Sequence, residues 1–170
     1  MNLYALSIPV YKKNLTNMLS MLEKAAAWME EKKISDETVL NARLAIDMMP
    51  FVRQIQIISD GARFGAAALS GTEPVRMPDE EKTVAELRTR LQKTLEVLDT
   101  YQEAAFEGAA ERKVELAYFP GKYILGEDYL RDFALPNFFF HFVTAYNILR
   151  HHGLDLGKGD YLAGLSMKDL

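Results

Sequence analysis

Cysteine is missing altogether from these 170 residues. Its absence excludes disulfides, thiolate nucleophiles and cysteine-ligated zinc or iron–sulfur centres together. Only three histidines occur, so any imidazole-based site has few residues to draw on. Positive charge is not in excess either: 20 Lys+Arg face 24 Asp+Glu, for a formal net charge of −4. That balance leaves no basic footprint for nucleic acid or an anionic membrane. No apolar run approaches the roughly 18 residues of a membrane span. The start, Met1-Asn2-Leu3-Tyr4-Ala5-Leu6-Ser7-Ile8-Pro9, has no basic segment ahead of an apolar one and does not read as a secretory signal. Neither a phosphate-cradling glycine loop nor a G-x-S-x-G elbow is found; Gly157-Lys158-Gly159-Asp160 reads as a turn. The expectation is a cytoplasmic protein with a single domain over residues 1–170.

What is present reads as helix. The spacing predicts a first helix from about Pro9, with Ser7 or Ile8 at the cap, to Lys32. Tyr11, Leu15, Met18, Leu22, Ala25 and Met29 line one face, with Met21 and Trp28 widening it. Asp36 to Leu40 reads as a single helical turn and Arg43 to Ile46 as extended chain. Asp47 reads as the N-cap of a second helix from about Met48 to Leu69, ending at Ser70-Gly71. A break here is preferred to one long helix kinked at Pro50, because an interior proline costs about 3 kcal/mol. The second helix buries Phe51 or Val52, Ile55, Ile58, Ala62, Ala66 and Leu69. Its small residues between Gly61 and Ala68 admit a close neighbour. Its polar line Arg53, Gln56, Asp60 and Arg63 reads as a solvated face in preference to a hydrogen-bonded seam between subunits.

Thr72 to Lys82 is a loop. Thr83-Val84-Ala85-Glu86 has capping-box spacing and starts a third helix that runs to about Phe106. Val84, Leu87, Leu91, Leu95, Leu98, Tyr101 and Ala105 form its buried face, with Arg88, Arg90, Gln92, Lys93, Glu96 and Gln102 outside. Val114 to Phe119 and Lys122 to Leu125, around Pro120-Gly121, predict a short β-hairpin. Glu127 to Ala134 is a helical lead-in. The fourth helix, Pro136 to His152, has proline in its first turn and Gly153 past its end. It holds all three histidines and is apolar on nearly all sides in its first half, which makes it central. The tail from Leu154 to Leu170 packs back through Leu156, Tyr161 and Leu162. The sum is an all-α four-helix bundle with a long crossover, containing the hairpin, between helices three and four.

The run Leu135-Pro136-Asn137-Phe138-Phe139-Phe140-His141 is followed by Thr144-Ala145-Tyr146 and Leu149-Arg150-His151. With the tail Gly157-Lys158-Gly159-Asp160-Tyr161-Leu162 and the segment Arg43-Leu44-Ala45-Ile46-Asp47-Met48 through Gln54, it resembles a known family. That family comprises small bacterial and fungal proteins grouped with the DinB/YfiT-like proposed metalloenzymes. The resemblance spans nearly the whole chain. It implies an up-down helical bundle with a crossover, often a homodimer, and it implies no activity, since the family has no established one. The wider superfamily binds a divalent metal through three histidines, one from the second helix and an H-x-x-x-H pair from the fourth. Here His141 is followed four residues later by Ala145, and the second helix has no histidine. The resemblance therefore does not carry a metal site over.

Helix geometry bounds what remains. His141 and His152 share a face but lie about 16 Å apart along the axis, and His151 and His152 point about 100° apart. A metal site would need His141 with carboxylates, Asp47 or Asp60, and fewer nitrogens than nickel, zinc or iron ordinarily take. The simpler account is a core imidazole hydrogen-bonded to a carboxylate or carbonyl. Without metal, His141 and an aspartate are candidates for general-base work, with Tyr146 or Tyr118 as donor. The functional expectation is a homodimeric bundle with a degenerate metal site and a small-ligand pocket between helices two and four. No cofactor, nucleic-acid or membrane partner is expected. The alternative is an enzyme of hydrolase or transferase type using His141 with Asp47 or Asp60, with or without a divalent metal.

Overall fold

Asn2 opens the first helix, its side chain accepting from the backbone N–H of Ala5 at 3.1 Å. In the computed structural model, which describes residues 2–116 and 118–169, α1 runs Leu3–Lys32. The start is therefore well ahead of Pro9, which lies inside the helix. A real side-chain cap at Asn2 decides this, and the Ser7 hydroxyl, on the Leu3 carbonyl at 2.6 Å, belongs to the helix interior. The predicted stripe from Tyr11 to Met29 is buried along its whole length.

The short α2, Asp36–Leu40, is capped by the Ser35 side chain. The break before Pro50 is present, but the local reading around it is corrected. Arg43 to Ile46 does not form extended chain, and Asp47 caps nothing. Instead the Phe51 N–H bonds to the Ala42 carbonyl at 2.8 Å and Arg43 bonds to the Met48 carbonyl, closing residues 43–49 into an exposed loop. Pro50, which has no N–H to leave unsatisfied, stands at the head of α3, Phe51–Ser70. Gly71, at φ 73°, ends that helix.

The capping box at Thr83 and Glu86 forms as expected, and α4 runs Val84–Asp99. It stops short of Phe106. The Thr100 hydroxyl takes the Val97 carbonyl at 2.7 Å, and a separate 3₁₀ turn, Glu103–Phe106, sets the Phe106 ring beside Tyr4 and Tyr101. Ala105 is consequently exposed, not buried. The hairpin is antiparallel, β1 Lys113–Glu115 against β2 Tyr123–Leu125, with Val114 opposite Ile124. Ala117, within the predicted first strand, lies outside the described residues, as does Leu170 at the end of the tail.

Helix resumes at once: α5, Gly126–Asp128, passes through a π turn at Tyr129–Ala134 into α6, Leu135–His151. Pro136 lies in the first turn of α6, as expected, but helix already runs into it through the π turn. A widened turn immediately before a proline shifts the carbonyl that its ring would strike, which lets the helix continue. Gly126 is held tightly at the start; a Cβ there would run into the Ala109 carbonyl oxygen.

Among the described residues the long helices are α1, α3, α4 and the run 126–151. α3 packs against α6, α4 and α1, and α1 also packs against α4. Gly126 lies by Leu69 near the end of α3, and His141 by Gln54 near its start, so α3 and α6 run antiparallel. The crossover places α6 beside α3 and α1 instead of beside α4. Phe138 and Phe142 are fully buried, but Phe140 is 57% exposed and Val143 is also exposed, so the first half of α6 is only partly enclosed. The small residues of α3 admit a ring, not another backbone: a Cβ on Gly65 would lie 2.7 Å from the Tyr11 hydroxyl. After Gly153, Leu154 and Leu156 are buried, and Tyr161 of α7, Lys158–Leu162, packs on Phe142 and Tyr146. Leu162 stays exposed, contrary to its expected packing. No described helix is long and apolar enough to cross a membrane.

Candidate functional site

His141 sits on α6 facing the first turn of α3. Its Nδ1 lies 2.7 Å from Gln54 Oε1. The amide is oriented by its other end, since Gln54 Nε2 donates to the Met49 carbonyl at 2.9 Å. The imidazole therefore donates through Nδ1–H, which leaves Nε2 as the nitrogen with a free lone pair. Gln54 is buried and His141 half-buried. Burial, and then the nearby positive charge of Arg53, hold the His141 pKa below its ordinary value. The chemical result is a neutral, oriented imidazole near pH 7, with the Phe140 ring edge-on beside it.

The carboxylates proposed from the sequence are not partners of this histidine. Asp47 is exposed in the loop before α3. Asp60 lies further along α3 and is engaged with Arg63 and with Arg90, the latter at 2.7 Å. Tyr146 is turned to the tail, against Tyr161, and Tyr118 is exposed by the hairpin. Among the described residues no three His, Asp or Glu side chains come together in a group able to hold a metal ion. The residues around His141 do not fit a three-histidine centre. Gln54 offers an amide oxygen already committed to His141, and the buried Ala145 offers no ligand atom. Gln54 is the site residue that sequence reasoning missed, although it closes the very segment that carries the resemblance.

The polar line of α3 is not a solvated face. Arg63 is fully buried and Gln56 nearly so, and Arg90, expected on the outside of α4, is 2% exposed. The loop 72–82 folds back to meet them. Arg90 contacts Asp60, Asp79 at 2.9 Å and Glu81 at 2.8 Å, and bonds the Pro78 carbonyl. Gln56 donates to Glu81 at 2.8 Å, Arg63 bonds the Val75 carbonyl, and Arg53 pairs with Asp79. Burial alone would raise the Glu81 pKa, but the hydrogen bonds from Arg90 and Gln56 prevail and hold it below the ordinary glutamate value. The seam is hydrogen-bonded within one chain. It welds the loop to the bundle and closes its own charge, so it offers no free reactive group.

A cavity with an apolar lining lies elsewhere than expected. It is bounded by the end of α1, by α2 and by the last turn of α6, not by α3 and α6, and holds about 240 Å³.

The profile of the domain of unknown function DUF1993 matches residues 3–162. A solved structure, that of a DinB family member protein from Shewanella denitrificans, is 39% identical to this chain with a TM-score of 0.95. That similarity covers 99% of this chain and 96% of the other. No curated protein matches. A profile match and a structural match over nearly the same residues, on a four-helix bundle with an α4–α6 crossover, place the chain in the DUF1993 family with the DinB-like fold.

Proposed function

We propose that this protein is a metal-free DinB-like bundle that acts by binding, as a cytoplasmic homodimer, and that the superfamily's metal position has become a structural His141–Gln54 pair. One observation carries the reading: His141 Nδ1 on Gln54 Oε1, with the amide locked on Met49, ties the candidate metal-binding imidazole to a neutral partner. The buried Ala145, one turn on, offers no second ligand. Exposed apolar side chains in the same region, Phe140 and Val143 on α6 and Leu44, Ile46 and Met49 on the preceding loop, support a second copy as the cover.

The alternative is catalysis by His141. It is favoured by the unpaired Nε2 and the lowered pKa, which suit a general base. It is opposed by the absence of Asp47 and Asp60 from the imidazole's contacts. Elemental analysis of untagged protein purified without chelator, and again after incubation with nickel, zinc and manganese, tests the metal-free reading; turnover that is lost in a folded His141→Ala would mark the catalytic alternative. The expected result is no stoichiometric metal in the native protein or in His141→Ala. Near-stoichiometric metal that vanishes in His141→Ala would refute the metal-free reading and make His141 a metal anchor.

A further inference from the structure

We propose that the cleft at the α2 end of the bundle is a binding site for one small neutral molecule, apolar over most of its surface and carrying a single hydroxyl or carbonyl. This rests on the reading of the chain as a ligand-binding bundle, and it names the place and the ligand class. The walls are Trp28, Ile34, Val39, Ala42, Ile148 and Leu149. Polar atoms come from Thr38 and His152, both exposed at its edge. His152 Nδ1 donates to the Ile148 carbonyl at 3.0 Å, which leaves Nε2 to meet a ligand.

Size and lining select the class. An apolar cavity of about 150 Å³ takes benzene, and drug-sized sites begin near about 300 Å³. A volume of about 240 Å³ therefore suits a ligand of about ten non-hydrogen atoms. An α-helix, about 10 Å across, is too wide for it. No Asp, Glu, Lys or Arg side chain lines the cleft among the described residues, so an ionic group in its apolar part would be desolvated without a partner. A ring or short chain filling the apolar part, with its one polar group at the mouth beside His152 and Thr38, satisfies both halves of the lining.

Trp28 is the only tryptophan of the chain and stands in the wall, so its emission reports on the cleft directly. The full-length protein is titrated with benzyl alcohol and, in parallel, with toluene. The expected result is a saturable change in Trp28 emission with both probes. Ala42→Leu, which fills the cleft, weakens both at least tenfold. Thr38→Leu, at the exposed mouth, is the second blocking variant should Ala42→Leu fail to fold. His152→Ala weakens benzyl alcohol severalfold and leaves toluene unchanged; an equal effect on the two would overturn the polar half of the assignment. His141→Ala binds both probes like the native protein, so metal bound at His141 would defeat the functional reading without altering this readout. A response that never saturates, or that is the same in the blocking variants, overturns the site. Emission that already shifts with protein concentration alone would assign the cleft to a second copy and overturn it as well.

Discussion

His141 is neutral in the folded chain because its surroundings oppose a proton: burial first, then the Arg53 charge. Its folded pKa is below the ordinary value of 6.5, so between the two values the unfolded chain binds more protons than the folded one. Stability linked to this group is complete above about pH 6.5, falls as the pH drops through that window, and levels off below the folded pKa. Urea unfolding at about pH 7.5 and about pH 5 should show a lower midpoint in acid, and His141→Asn should lose part of that difference. A variant whose acid sensitivity equals that of the native protein would show that another group carries it. The histidine itself was legible in the sequence, as a helix residue among phenylalanines with a carboxylate or carbonyl partner to find. Its partner was not, because an amide in a buried first turn has no periodicity to announce it.

The same difficulty appears with more force in the seam between α3, α4 and the loop 72–82. Arg90 follows Leu87 by three residues and stands at the margin of the apolar stripe, where its charge alone reads it as outward, yet it is buried. Three acids from two other segments, Asp60, Asp79 and Glu81, converge on it. Without Arg90, Asp60 and Asp79 keep Arg63 and Arg53, but the enclosed Glu81 loses its one cationic partner among the described residues. Arg90→Ala should therefore destabilise the protein by about 3–5 kcal/mol, whereas Arg53→Ala, at a more exposed pair, should cost less than about 1 kcal/mol. Chemical denaturation of both variants checks the ordering, and similar losses would mean that the cluster does not act as a buried unit. At this scale the capping box of α4, the α3 stop at Gly71 and the hairpin turn were all readable, because each is set by a few neighbouring residues. The start of α1 and the end of α4 were misread. Their limits depend on the Asn2 cap and on Phe106 finding the ring of Tyr4, far away along the chain, beside that of nearby Tyr101.

For the molecule as a whole, the unburied apolar side chains of α6 and of the loop 43–49 give the proposed dimer a specific form. Sedimentation equilibrium across micromolar concentrations should return twice the 19.3 kDa chain mass, and the double variant Met49→Glu/Phe140→Glu should return the monomer with its helical content intact. A native protein that stays monomeric over that range would end the dimer proposal. It would also leave Phe140, 57% exposed, as a patch in want of another partner.

By itself the sequence determined the class of fold and most of its core. Three-four spacing selects the buried faces of α1, α3 and α4 whatever they pack against, and missing cysteines and missing histidine partners exclude whole chemistries. The tertiary structure decided what meets across those faces: His141 with Gln54, Arg90 with a returning loop, Tyr11 with Gly65, and the walls of a cleft at the α2 end. The physical reason is range. Helix periodicity and capping act within a few residues, whereas these pairings join separate segments, from nine positions apart for Arg90 and Glu81 to 87 for His141 and Gln54, and their partners are chosen only when the helices pack.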